Sequence, residues 1–163
     1  MDNQNLKFDF VFLGQSVLKY QVPLDIFTAI NQIYEQNYHN LNKANGQLVG
    51  KIENEHSLFY HGKDQSKMKN HNLLPRNVTD WFISIFQHYL AFNKIRDYDT
   101  HLNSIWVNEM KQHEYNPAHI HRGMLFTGLS SVMILKLPST FGREYSADQV
   151  PQNGRLQILG AAN

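Results

Sequence analysis

The chain contains no cysteine, which excludes disulfide bonds, zinc–thiolate centres and cysteine nucleophiles. No apolar run approaches the roughly 18 residues needed to cross a bilayer. The polar residues 1–5 do not form the basic start of a signal peptide. No run of like charge marks a polybasic membrane patch or a nucleic-acid tail, although nucleic acid is not excluded as a partner. We therefore expect a soluble cytoplasmic protein without a membrane segment.

The N-terminal part of the chain predicts a hairpin followed by a helix. With 163 residues, 42% of them hydrophobic, the chain is long enough for a single domain over residues 1–163. Apolar residues alternate over residues 7–13 and, after Gly14-Gln15, over residues 16–22, which predicts a β-hairpin. After Pro23, apolar residues recur at helical spacing and predict an amphipathic helix; they are Ile26, Ile30, Ile33 and Tyr34.

A second helix is predicted more strongly, after a polar stretch. Residues 37–77 are rich in asparagine, lysine and histidine, and we expect loop there with one or two short strands or turns. Pro75 precedes a helix that reaches Asn93, with Asn77 or Thr79 as its N-cap. Its apolar stripe is predicted to be core; the residues are Phe82, Ile85, Phe86, Tyr89 and Phe92.

Beyond residue 100 the apolar period changes from helical spacing to two, which is typical of strands. The predicted strands cover residues 102–111, 118–121, 130–137 and 154–159. Helices early in the chain and strands late in it indicate an α+β fold with a mainly antiparallel sheet or barrel.

Two of the nine histidines stand out by their spacing. His119 and His121 are two residues apart on a predicted strand, so both imidazoles project to the same face, as two neighbouring metal ligands must. Imidazole suits iron, zinc, copper or nickel, and the alternative is a pair of solvated histidines. His88 is expected on the polar side of the second helix. The other histidines in polar surroundings are expected to be exposed; they are His39, His56, His61 and His71.

Several stretches beyond residue 100 resemble one family in order and spacing. They are Trp106-Val107-Asn108, Asn116-Pro117-Ala118-His119-Ile120-His121, residues 129–138, which begin with Leu-Ser-Ser-Val and end in Leu-Pro, and Asn153-Gly154-Arg155-Leu156. The chain thereby resembles the 2-oxoglutarate/Fe(II)-dependent oxygenases that are common in marine bacteria and their tailed phages. The resemblance covers residues 102–160.

The resemblance implies a double-stranded β-helix, a jelly-roll or cupin-like fold, preceded by an N-terminal hairpin and two buttressing helices. Residues 102–160 would be the N-terminal half of its core. His119 and His121 would bind Fe(II), with 2-oxoglutarate and dioxygen at the remaining positions, for hydroxylation of a substrate as 2-oxoglutarate loses carbon dioxide. Trp106 and Asn108 share one face of the preceding strand and are candidates to line the pocket, although packing within the sheet explains them equally well.

The sequence departs from the family pattern in its ligands and its strand count. The commoner first pair is HxD or HxE, so His121 leaves the site one negative charge short. No histidine follows His121, and the expected third ligand is therefore missing. About eight strands close such a barrel, whereas four are predicted here. We expect a C-terminally truncated form of a longer protein, whose exposed strand edge pairs with another copy in a homo-oligomer.

Two other functions remain open from the sequence. A non-enzymatic cupin-like binding module or phage structural module would keep the scaffold without the chemistry. A zinc hydrolase would need a general base near the histidine pair, for which Glu109, His113 and Glu114 are close in sequence. The substrate of the oxygenase, small molecule or macromolecule, does not follow from the fold, and beyond the two metal ligands no catalytic residue is assigned.

Overall fold

The computed structural model describes residues 7–12, 16–44, 50–60, 72–117, 119, 128–140 and 156. Over these residues the fold is α+β, as predicted, with two α-helices and two small antiparallel sheets. None of the helices in the described ranges is long and apolar enough to span a membrane.

The first sheet is the predicted N-terminal hairpin. Strand β1 (Phe8–Phe12) pairs antiparallel with β2 (Ser16–Tyr20), with Phe8 opposite Tyr20. The hairpin packs on the second helix, where the Phe8 ring lies 4.7 Å from the His88 ring between centroids. The Tyr20 hydroxyl lies 2.8 Å from Nδ1 of the same histidine. His88 thus contacts the hairpin and is half-buried.

Both predicted helices are present. Helix α1 (Leu24–Asn37) begins directly after Pro23, and α2 (Arg76–Phe92) begins directly after Pro75. The prediction that Asn77 or Thr79 caps α2 is wrong, because Pro75 occupies the N-cap position. Thr79 lies inside the first turn, and its hydroxyl donates to the Arg76 carbonyl at 2.9 Å.

The second sheet has three strands in the order β3-β4-β5. A 3-10 helix (Tyr38–Asn40) leads into the short β3 (Asn42–Lys43); β4 (Asn54–Tyr60) is central, and β5 (Ser104–Glu109) confirms the strand predicted within residues 102–111. The expectation of mainly loop over residues 37–77 understates β4, which is the longest strand in the described chain.

The core lies between the two helices and this sheet. Its buried residues come from both helices, from β4 and from the segments before α2 and β5; they are Ile26, Ile30, Leu58, Leu74, Val78, Trp81, Phe82, Ile85 and Leu102. The predicted stripe of α2 enters this core through Phe82 and Ile85, whereas Phe92 at its end is 37% exposed and packs on Phe8 and Phe10.

The strands predicted after β5 are not confirmed. Residues 130–137 form no strand with the described part of the chain. Met133 and Leu135 are half-buried against the core, while Val132 and Ile134 are exposed, so the segment has the in–out pattern of a strand without its pairing. Of the strands predicted over residues 118–121 and 154–159, only His119 and Leu156 lie within the described residues.

Candidate functional site

The pairing of β4 with β5 assigns the polar residues of both strands to two faces. Residues opposite each other in an antiparallel pair project to the same side of the sheet. Asn54 is opposite Glu109 and His56 opposite Val107 on the side of α1 and the core, which we call the core face. Glu55 is opposite Asn108 and Ser57 opposite Trp106 on the other side, which we call the Glu55 face.

Polar side chains on the core face bond to one another and to α1 and the 3-10 helix. Glu109 Oε2 accepts hydrogen bonds from Asn54 Nδ2 at 2.9 Å and from the Tyr38 hydroxyl at 3.2 Å. The Tyr34 hydroxyl lies 3.4 Å from His56 Nδ1. Burial raises the pKa of Tyr34 to about 12, so its hydroxyl stays protonated. These contacts connect the helical side of the fold to the end of β5.

His56 corrects a prediction from the sequence. It was expected among the exposed histidines because its neighbours in sequence are polar, yet it is only 4% exposed. Burial, together with the positive charge of Lys43, lowers its pKa, so the neutral ring is favoured in the folded protein. His39 is exposed as expected, and His61 and His71 lie outside the described residues.

The Glu55 face places both candidate pocket residues beside a buried acid. Trp106 is 37% exposed and Asn108 is exposed, whereas Glu55 and Ser57 across the pair are 5% and 6% exposed. Glu55 Oε2 is buried and has no hydrogen-bond partner in the described part of the protein. Burial raises the pKa of the Glu55 carboxyl. Trp81 Nε1 and Thr100 Oγ1 are also buried without a partner among the described residues, but Glu55 is the ionisable group among the three, and burying an unpartnered carboxyl costs free energy.

Of the predicted metal-binding pair, the structure describes His119, which is exposed; His121 lies outside the described residues. His119 Nδ1 lies 2.7 Å from the Pro117 carbonyl oxygen. A carbonyl only accepts hydrogen bonds, so Nδ1 carries the proton and a metal would bind through Nε2. Histidine ligands of metals commonly donate their other ring N–H to a carbonyl in this way.

The segment before His119 is anchored on the residues that precede β4. Lys51 and Tyr115 exchange two backbone hydrogen bonds, of 2.9 and 3.1 Å. Gly50 has no side chain to separate it from this segment: a Cβ there would lie 2.8 Å from Pro117 Cδ and 2.9 Å from Asn116 Cα. Glycine at position 50 therefore allows the Asn-Pro turn to approach closely.

The acidic candidates for a hydrolase base have other partners. Glu114 Oε1 accepts from the Glu53 backbone N–H at 2.9 Å, and Oε2 accepts from the Lys111 N–H at 2.7 Å. These bonds lower the pKa of Glu114 and hold the loop after β5. Glu109 is bonded on the core face, and His113 lies in this loop with a φ of 67°. The geometry thus favours a structural role for both carboxylates.

Neither a group of metal-binding side chains in the described residues nor a similar known protein supports a function for this site. Within the described residues, no three His, Asp or Glu side chains are grouped to hold a metal ion. Comparison with known proteins gives no match, because no family model, curated protein or solved structure is significantly similar to the chain. The site therefore has to be argued from its own residues.

Sequence reasoning selected Trp106 and Asn108 but missed the residues across from them. Glu55 and Ser57 lie in a polar run, Asn54-Glu55-His56-Ser57, that has neither the apolar alternation nor the composition of a buried strand. The apolar residues Leu58-Phe59-Tyr60, which follow directly, do indicate a strand. They do not show that the strand begins at the polar Asn54.

Proposed function

We propose that the protein is an Fe(II)- and 2-oxoglutarate-dependent oxygenase with a double-stranded β-helix fold, which hydroxylates a substrate bound at the Glu55 face. The observation that carries the proposal is the position of Trp106 and Asn108 beside buried Glu55 and Ser57. The core face also buries polar side chains, but Asn54 and His56 there have side-chain hydrogen-bond partners, whereas Glu55 Oε2 has none in the described residues. A face that buries polar groups is typical of a ligand-binding interior, where a few polar side chains orient the ligand.

The chemistry of His119 fits the proposed metal. Imidazole is a ligand for non-haem Fe(II), and the hydrogen bond from Nδ1 to Pro117 would orient the ring for binding through Nε2. His119 and His121 would hold the iron, and Trp106 and Asn108 would line the pocket. Iron with 2-oxoglutarate and dioxygen would supply the oxidising chemistry, while the protein binds and orients the substrate and limits the access of water.

Calorimetry with Mn(II), an oxygen-stable substitute for Fe(II), tests the proposal on the full chain. We expect Mn(II) to bind, and 2-oxoglutarate to bind only to the Mn(II)-loaded protein. His119→Ala and His121→Ala should each weaken Mn(II) binding at least tenfold, because each removes one of two imidazole ligands. His39→Ala is the matched control, since His39 is an exposed histidine outside the proposed site and should leave Mn(II) affinity unchanged.

Three outcomes would contradict the proposal. Absence of Mn(II) binding, or equal Mn(II) affinity in the His119→Ala and wild-type proteins, would remove the metal site. Metal binding without any effect of 2-oxoglutarate would instead support the non-enzymatic cupin-like module. The zinc hydrolase is not supported, because Glu109 and Glu114 are engaged in other hydrogen bonds.

We also propose that the chain associates with a second copy through an exposed strand edge. Support comes from residues 130–137, which have strand-like alternation without pairing in the described residues. There Val132 and Ile134 are 62% and 51% exposed. Exposed apolar residues in a segment that pairs with no described strand favour strand addition. Sedimentation velocity should show a concentration-dependent dimer, and a monomer at every concentration would overturn this.

A further inference from the structure

Glu55 combines deep burial with a missing partner, and the residues around it suggest what that partner is. Its side chain is 5% exposed, and Oε2 has no hydrogen-bond partner in the described protein. Strand β4 itself does not require an acid there, because an apolar residue or a bonded glutamine would cost less to bury. An acid kept in such a position is a candidate for binding a ligand.

The charge balance around Glu55 points to a cationic ligand. The lysines whose contacts are described near β4 bond elsewhere: Lys43 Nζ donates to the Glu53 carbonyl and to Asn54 Oδ1, and Lys111 Nζ donates to Glu53 Oε2. No ion pair with Glu55 occurs over the described residues. A carboxylate in low dielectric without a countercharge is stabilised most by a cation that brings hydrogen-bond donors.

The residues opposite Glu55 and Ser57 on β5 complete a recognition set. Asn108, directly opposite Glu55, is exposed, so this end of the face borders the solvent from which a ligand arrives. Its amide can both donate and accept hydrogen bonds. Trp106 follows along the same face and is 37% exposed. Indole is the aromatic group that attracts cations most strongly, and guanidinium also stacks on it.

We propose that the Glu55 face binds a cationic group of the substrate, an amine or a guanidinium. The Glu55 carboxylate is its ionic partner, and the Asn108 amide and the Trp106 ring lie beside it. That this ligand is the substrate to be hydroxylated rests on the proposed oxygenase function. The cation site itself does not depend on that function.

The test uses the full chain without added metal or 2-oxoglutarate, so that it is independent of the oxygenase chemistry. Methylguanidinium and its neutral isostere N-methylurea are titrated at pH 8 and followed by Trp106 fluorescence and by NMR of the indole N–H. Trp106→Phe identifies the signal, because the other tryptophan, Trp81, is buried in the core. We expect methylguanidinium to bind about tenfold more tightly than N-methylurea, as for a hydrogen bond to a charged group.

Two variants make the result decisive. Glu55→Gln keeps the size of the side chain and removes the charge, so the preference for the cation should disappear. Asn108→Asp adds a charge at an exposed position of the same face and should strengthen the preference severalfold. Asn108→Asp also tests the proposal if Glu55→Gln does not fold. Equal binding of both probes to the wild type, an unchanged preference in Glu55→Gln, or no response to Asn108→Asp would each overturn the proposal.

Failure of this proposal is distinguishable from failure of the proposed function. A cation preference that depends on Glu55, without binding of Mn(II) and 2-oxoglutarate, would keep the cation site and remove the oxygenase. Binding of Mn(II) and 2-oxoglutarate without a cation preference would keep the oxygenase and remove the cation site.

Discussion

Helix α2 and strand β4 pack against the same core but bury opposite kinds of side chain. The buried residues of α2 are Val78, Trp81, Phe82 and Ile85, all apolar. Strand β4 buries four consecutive polar residues, Asn54, Glu55, His56 and Ser57, before its apolar Leu58. The helix therefore supplies stability through the hydrophobic effect, whereas the strand costs free energy wherever its polar groups lack partners. Such local conflicts between composition and burial are expected at functional sites.

The largest expected effect tests the apolar side of this comparison. Phe82→Ala should destabilise the fold by about 3–5 kcal/mol, because it leaves a cavity between α2 and the sheet. Urea denaturation followed by circular dichroism measures the change. Phe92→Ala is the matched control: Phe92 is 37% exposed, so we expect a clearly smaller loss. Equal losses in both variants would show that the core is not centred on the buried half of α2.

The next effect concerns the approach to β4 from the proposed metal-binding segment. Gly50→Ala should destabilise the protein by about 1–3 kcal/mol, because the added Cβ meets backbone atoms of Tyr115 and Asn116 and the ring of Pro117, which cannot easily give way. Hydrogen exchange of the Lys51 and Tyr115 amides should accelerate, since these amides donate across the contact. Gly128→Ala, where a Cβ meets nothing within 4 Å, should leave stability and exchange unchanged. If these amides exchanged in Gly50→Ala as slowly as in the wild type, residue 50 would not lie close to residues 115–117.

A smaller effect tests the polar side through its dependence on pH. Burial raises the pKa of Glu55, so the stability from this group is full below its unfolded pKa and is lost as pH rises through the folded pKa. Glu55→Gln does not titrate and should be more stable than the wild type by about 1 kcal/mol at neutral pH. The difference should shrink as pH falls toward 4. Thermal unfolding from pH 4 to 8 measures it, and a constant difference would show that Glu55 is not desolvated.

His56, on the same strand, should give stability the opposite dependence on pH. Its pKa is lowered, so the stability it contributes is present above its unfolded pKa and is lost as pH falls through the folded value. His56→Gln should flatten the loss of stability below pH 6.5, whereas the exposed His39→Ala should not. Together the two β4 variants should change opposite ends of the stability profile, while Phe82→Ala lowers all of it.

The sequence predicted the elements whose pattern and environment agree. Both helices, the hairpin and β5 have apolar residues at the period of their secondary structure, and Pro23 and Pro75 mark the helix starts. The polar start of β4 was missed because its burial depends on residues far away in sequence, Tyr34 and Glu109 among them. No local pattern records such tertiary contacts. Trp106 and Asn108 could be selected because their spacing places them on one face of a strand. Glu55 could be identified only from its pairing with Asn108, which is a tertiary contact.

The smallest effect is expected on the solvent side of α2. Arg76 and Asp80 form an exposed ion pair at i and i+4, 3.4 Å apart, with side chains 92% and 60% exposed. Asp80→Ala should change stability by no more than about 0.5 kcal/mol, because solvent screens such pairs and the side chains lose entropy in forming them. Urea denaturation at low and high salt measures the change. A loss of stability comparable to that of Phe82→Ala would mean that α2 depends on its surface charges. The claim that α2, unlike β4, is stabilised mainly by buried apolar residues would then be wrong.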